Sequence, residues 1–191
     1  MTLKERRERL SRGSLGFMLS KMEIVIRKAR KGDGQQVAEV ANYNLDSGFN
    51  VYAGYNSSRD KDWVKKANKS YSENKQNEFV MVAIDKVTRK IVGFSKFYGG
   101  KGRLRHRGDI GWSVHRNYAG KGIGTMLLKA VLYEAKKRGF KKAQAEAAID
   151  NAASIKIAEK CGFTLEGKIK SGILLDNGKY MDTYLFGKFL K

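Results

Sequence analysis

The chain has 191 residues, 41% of them hydrophobic, enough for one domain with a substantial buried core. Its single cysteine, Cys161, and two histidines, His106 and His115, exclude a disulfide framework and a multi-thiolate zinc site, and no run approaches the roughly 18 apolar residues of a membrane span. With 39 Lys+Arg against 19 Asp+Glu, the net charge of +20 suits contact with polyanions such as RNA, ribosomes, anionic lipids or phosphorylated small molecules. The corresponding expectations are a reducing, cytoplasmic setting, no membrane partner and no metal.

In chain order, residues 1–20 show neither strand alternation nor sustained helical spacing. They read as a basic, partly disordered extension, or as sequence upstream of a start at Met18 or Met22. Residues 21–191 read as a single domain. "KMEIVIRKAR" alternates around Ile24 and Ile26 as a strand, and "GDGQQVAEVANYNL" places Val37, Val40 and Ala41 at helical spacing. A second helix, about Lys61 to Glu73, puts Trp63, Ala67 and Tyr71 on one face bordering a cleft. "EFVMVAID", "KIVGFSKFYG" and "GDIGWSV" form an antiparallel meander, the last two separated by the basic loop "GKGRLRHR". A long helix at 121–138, the strand "KKAQAEAAI", a short helix in "NAASIKIAEKCG" and a hairpin turning at "DNGK" complete a mixed α+β sheet.

The stretch "VHRNYAGKGIGTMLLKAVLYEAKKRG" carries the chemistry. Small residues in "NYAGKGIG" let a ligand approach the backbone, and the amides opening the next helix point outward beside the positive end of its dipole. Such a loop suits a diphosphate. In the helix, Ile123, Met126, Leu127, Ala130 and Val131 form an apolar row widened by Leu128, Leu132 and Ala135. The spacing matches neither a Walker A loop nor a Rossmann fingerprint.

The segment Asp109 to Gly167, within a wider match over about Ile24 to Leu190, resembles the GNAT superfamily of acyl-CoA N-acyltransferases. The pattern "N-x-x-S-x-x-x-x-E-K-x-G-F" is similar to ribosomal-protein N-terminal acetyltransferases and phosphinothricin-type acetyltransferases. The resemblance implies a GNAT-type, mostly antiparallel central sheet flanked by helices, with a splayed strand pair holding CoA. It implies acetyl-CoA as co-substrate, bound by Trp112, Ser113 and Val114 on the strand, by Ala119, Gly120, Lys121, Gly122, Ile123, Gly124 and Thr125 in the loop, and by Asn151 and Ser154. Two positions depart from the family: Ala119 stands where Arg or Gln is usual, with Lys121 as a substitute cation, and Ala158 stands where many members carry a tyrosine acid.

For catalysis the resemblance offers Asp109 as the first candidate base, Glu146 as the second, and Ser154 near the thiol. Asn151 also fits a plain helix cap, Ser154 a plain N3 position, and each carboxylate a solvated ion pair. His115 reads as a surface residue, Asp182 as structural, and Tyr180 and Tyr184 as lining the acceptor side or packing in the sheet. The implied activity is direct transfer of acetyl from acetyl-CoA to a primary amine, foremost a protein or peptide N-terminus. A small-molecule or polyamine acceptor is the alternative, and a non-catalytic RNA- or ribosome-binding module is the alternative of another class. Assembly as a homodimer is left open.

Overall fold

The computed structural model describes residues 23–43, 61–73, 75–175 and 177–191; the expectations for residues 1–20 and for the Trp63 side chain lie outside these. The elements run β1 (Ile24–Lys28), α1 (Gly34–Tyr43), α2 (Lys61–Ser72), β2 (Glu78–Asp85), β3 (Lys90–Gly99), β4 (Arg107–Val114), α3 (Ile123–Lys137), β5 (Lys142–Ala148), α4 (Ala152–Lys160), β6 (Thr164–Leu174) and β7 (Tyr180–Phe189). Single helical turns sit at Gly102–Leu104 and Arg116–Tyr118. The described strands form one sheet in the order β1-β2-β3-β4-β5-β7-β6. Every neighbouring pair is antiparallel except β4 and β5.

The strand alternation explains the layers. In β2, Phe79, Met81 and Ala83 join the core beneath α3, while Val80 and Val82 meet Val37 and Val40 of α1. Both faces are covered, so β2 is an almost unbroken apolar run. Helix α3 buries Ile123, Leu127, Leu128, Val131 and Ala135 at 1% exposure or less, worth about 1.5–3 kcal/mol for each large side chain. Met126 departs from the apolar row expected of it and is 41% exposed. It flanks the stripe of Ile123, Leu127 and Val131, whose four-residue spacing faces the sheet.

At the far edge β6 carries a bulge. Ile169 pairs with Thr183 and Ile173 with Met181, so residues 170–172 stand opposite Asp182. The Ser171 amide, at φ 53°, donates to Asp182 Oδ1 at 2.8 Å, and Lys168 pairs with Oδ2 at 2.8 Å. Lys168, then the Ser171 amide, holds the Asp182 carboxyl below its ordinary range. Asp182 therefore shapes the chain that covers the end of β5.

Candidate active site

Parallel pairing of β4 with β5 covers only Arg107–Asp109 against Lys142–Gln144. Beyond it each strand keeps its outer partner: β4 stays on β3 as far as Val114, and β5 on β7 as far as Ala148. The two therefore part, and a cavity of about 590 Å³ opens between them and the N-terminal ends of α3 and α4. Ile110 to Val114, Glu146 and Ala147 supply its strand walls. Trp112 lines it, and its buried indole N–H has no hydrogen-bond partner among the described residues.

The other wall is the loop before α3. Gly122 caps the helix at φ 78° and ψ 0°, a left-handed conformation that disfavours any side chain. A Cβ there would meet nothing within 4 Å, so the loop leaves space above its backbone. Ala119, Gly120, Gly122, Ile123, Gly124 and Thr125 all line the cavity. Lys121 does not: its ammonium lies over the Tyr118 ring, 5.2 Å from the centroid. The Tyr118 hydroxyl donates to Asp85 Oδ2 at 2.9 Å, tying the loop to the end of β2. Burial alone would raise the Asp85 carboxyl, but the bonds from Tyr118, Val87 and Thr88 outweigh it and lower it; burial and then that carboxylate push the Tyr118 phenol up. His115 starts this turn, with Nδ1 accepting from the Asn117 amide at 3.3 Å, and burial followed by the Arg116 charge lowers its pKa.

The structure separates the two candidate carboxylates. Both are exposed, but Glu146 lines the cavity, whereas Asp109 sits where β4 and β5 are still paired and does not. The Glu146 carboxylate accepts a short hydrogen bond from the hydroxyl of Thr183, which is 0% exposed. Gly172, in the β6 bulge, packs directly over this pair: a Cβ on it would clash with Thr183 Oγ1 and lie 3.1 Å from Glu146 Oε1. Asn151 caps α4, its Oδ1 accepting from the Ser154 amide at 3.0 Å, and both residues line the cavity. Tyr184 packs against the core and meets Phe186 edge-on at 6.3 Å, while Tyr180 is 66% exposed.

Sequence reasoning passed over Thr183, Arg116, Lys156 and Lys160. The last two line the cavity from one face of α4, a turn apart, and neither is paired with a carboxylate among the described residues. Their four-residue spacing after the Asn151 cap was a usable signal. Thr183 carried none, because only the β5–β7 register brings it beside Glu146. No cluster of metal-ligating side chains occurs among the described residues, and no helix among them is long and apolar enough to cross a membrane.

Residues 23–164 match the family model described as "Acetyltransferase (GNAT) domain". Among solved structures, a GNAT-family acetyltransferase from Streptococcus pneumoniae is 26% identical with a TM-score of 0.75, over 87% of this chain and 99% of that one. A ribosomal-protein-S5-alanine acetyltransferase from Vibrio fischeri is 20% identical with a TM-score of 0.73, over 91% and 96%. A phosphinothricin acetyltransferase from Sinorhizobium meliloti, in complex with acetyl-CoA, is 19% identical with a TM-score of 0.73, over 88% and 89%. With a family match over residues 23–164 of 191 and a sheet that parts beside a glycine-capped helix, the chain belongs to the GNAT acetyltransferase family.

Proposed function

We propose that this protein transfers acetyl from acetyl-CoA to the α-amine of a protein or peptide. The observation that carries the reading is the parting of β4 and β5 after Asp109 and Gln144, which opens one cavity from the glycine loop to Glu146. The site fits the donor chemically. The helix-opening amides of α3, with Ala119 to Thr125 around them, suit a diphosphate. The parted strands at Trp112 to Val114 suit an extended amide-bearing arm. Asn151 and Ser154 line the same cavity from the start of α4.

Acetyl-CoA supplies a thioester, whose C–S bond breaks as the bond from carbon to the amine nitrogen forms. The attacking amine must be neutral and must lose a further proton. Glu146 takes that proton, directly or through one water, with Thr183 holding its carboxylate in place. Ser154 steadies the departing sulfur.

Substrate choice follows from amine chemistry. An α-amine titrates near 8 and a lysine near 10.4, so the lysine costs roughly 3 kcal/mol more to deprotonate at neutral pH. A single carboxylate base suits the easier amine, and a net charge of +20 disfavours a free polycation. Mass spectrometry of peptides bearing a free α-amine, of the same peptides blocked at that amine but carrying lysine, and of spermidine tests the reading. Acetyl on the free α-amine alone is the expected result. Faster acetylation of spermidine would make the protein a small-amine enzyme, and acetyl-CoA binding without turnover would make it a non-catalytic module.

A further inference from the structure

We infer that the end of the sheet opposite the cavity binds the phosphodiester backbone of a nucleic acid. The connection from β3 to β4 carries Lys101, Arg103, Arg105 and His106, all exposed, and contains no acid. Backbone bonds join it to two further basic segments. The amides of Lys141 and Lys142 donate to the His106 carbonyl at 2.8 and 3.1 Å, and the Leu190 amide donates to the Lys141 carbonyl at 2.8 Å. Lys101, Arg103, Arg105, Lys141 and Lys191 are thereby gathered on one end of the fold, and no carboxylate pairs with any of them among the described residues. At 66% exposure the Phe189 ring stands beside them, with the Lys142 ammonium 5.7 Å from its centroid.

This patch lies outside the acetyl-transfer site. Strand β4 enters here at Arg107 and first lines the cavity at Ile110, about 10 Å further along, and none of Lys101, Arg103, Arg105, Lys141 and Lys191 lines it. An anionic membrane surface would call for an amphipathic helix or a broad apolar face among the cations. Here the cations sit on short connections, and the large exposed apolar side chains near them, Leu104, Phe189 and Tyr98 at the end of β3, are scattered singly. Separated cations around one exposed aromatic ring suit phosphates with a base stacked between them.

The experiment uses the full chain and fluorescein-labelled RNA and DNA strands of one sequence, each about 20 nucleotides long, titrated at several salt concentrations. The parent protein is expected to bind, with affinity falling at least about tenfold between 50 and 200 mM salt. Lys101→Glu/Arg103→Glu/Lys141→Glu should weaken binding at least about tenfold further, whereas Lys65→Glu/Lys66→Glu/Lys90→Glu, an equal change of charge elsewhere, should weaken it far less. Thermal melts establish that both variants are folded, and Lys191→Glu with Phe189→Ala repeats the comparison from a different segment. The two labelled strands separate an RNA preference from a DNA one. Equal weakening by the patch and control variants, absence of binding by the parent, or tighter binding to phosphatidylserine vesicles than to either strand would each overturn the assignment.

Discussion

At the level of single residues, the two candidate carboxylates differ in place: Glu146 lines the cavity and Asp109 does not. The resemblance offers Asp109 first, at a strand-start position where the family often carries Glu, but the cavity favours Glu146. Glu146→Gln should lower kcat about 10²-fold at unchanged acetyl-CoA affinity, while Asp109→Asn should leave kcat within a few-fold. Thr183 offers a finer test. Thr183→Val keeps the buried shape and removes the hydroxyl held on Glu146, so kcat should fall about tenfold with KM for acetyl-CoA unchanged, and Thr183→Ser should restore it. Steady-state kinetics with separate kcat and KM decide this. A change in KM alone would make Thr183 part of the packing and nothing more. The cations give a second test. Lys156→Gln/Lys160→Gln removes the two ammonium groups on the cavity wall, and calorimetry should show acetyl-CoA binding weakened about tenfold with a shallower salt dependence. That loss would assign them the cationic role that Ala119 leaves vacant and that the resemblance implies for Lys121, whose ammonium instead covers Tyr118.

Among the elements, the loop before α3 and the helices on either side of it were legible because their signals are local. Glycine spacing, an apolar row and an Asn cap need no tertiary information, and α3 and α4 begin where those signals put them. The two glycines of the loop nonetheless do different work. Gly122 is required by its left-handed backbone, whereas a Cβ on Gly124 would sit 2.8 Å from Ile157 Cδ1, so Gly124 lets α3 and α4 approach. Gly122→Val should therefore raise the acetyl-CoA dissociation constant at least tenfold, about the effect of losing one charge-assisted hydrogen bond, and the strain of a β-branched residue at φ 78° should cost about 1–3 kcal/mol of stability. Gly124→Val should lower melting temperature as well, because it overpacks the helix contact by about 1–3 kcal/mol. Differential scanning calorimetry alongside binding follows both losses, and Ile157→Ala in the Gly124→Val background should recover stability only there, since a Cβ on Gly122 meets nothing within 4 Å. The Gly172 to Thr183 to Glu146 contact was not legible, since it depends on the bulge opposite Asp182 and on the β5–β7 register, both long-range pairings.

For the molecule as a whole, the sheet order was legible only as far as hairpins and resemblance go, while the charge balance was legible in full. That balance makes the fold sensitive to acid. Burial alone would raise Glu134, but hydrogen bonds and charge from Lys28 and Arg138 outweigh it and hold its carboxyl below the ordinary range. Asp33 is held low in the same way, burial being outweighed by Arg27 and the Arg30 amide. Because both folded values lie below the unfolded ones, the unfolded chain takes up these protons first as pH falls. Their contribution to stability is complete above about pH 4–5 and is lost as pH drops through the lowered folded values. Over the same range protonation of other carboxylates drives the net charge above +20, and self-repulsion grows. Melting temperature should therefore fall steeply below about pH 4, and added salt should recover part of the loss by screening the repulsion. Glu134→Gln isolates the specific share: it should cost about 1–3 kcal/mol at neutral pH, where the pair with Lys28 and Arg138 is intact, and progressively less as acid titrates the parent. Melts of parent and variant across that range should converge at low pH. Parallel curves would mean that Glu134 contributes through packing and that self-repulsion alone sets the acid limit.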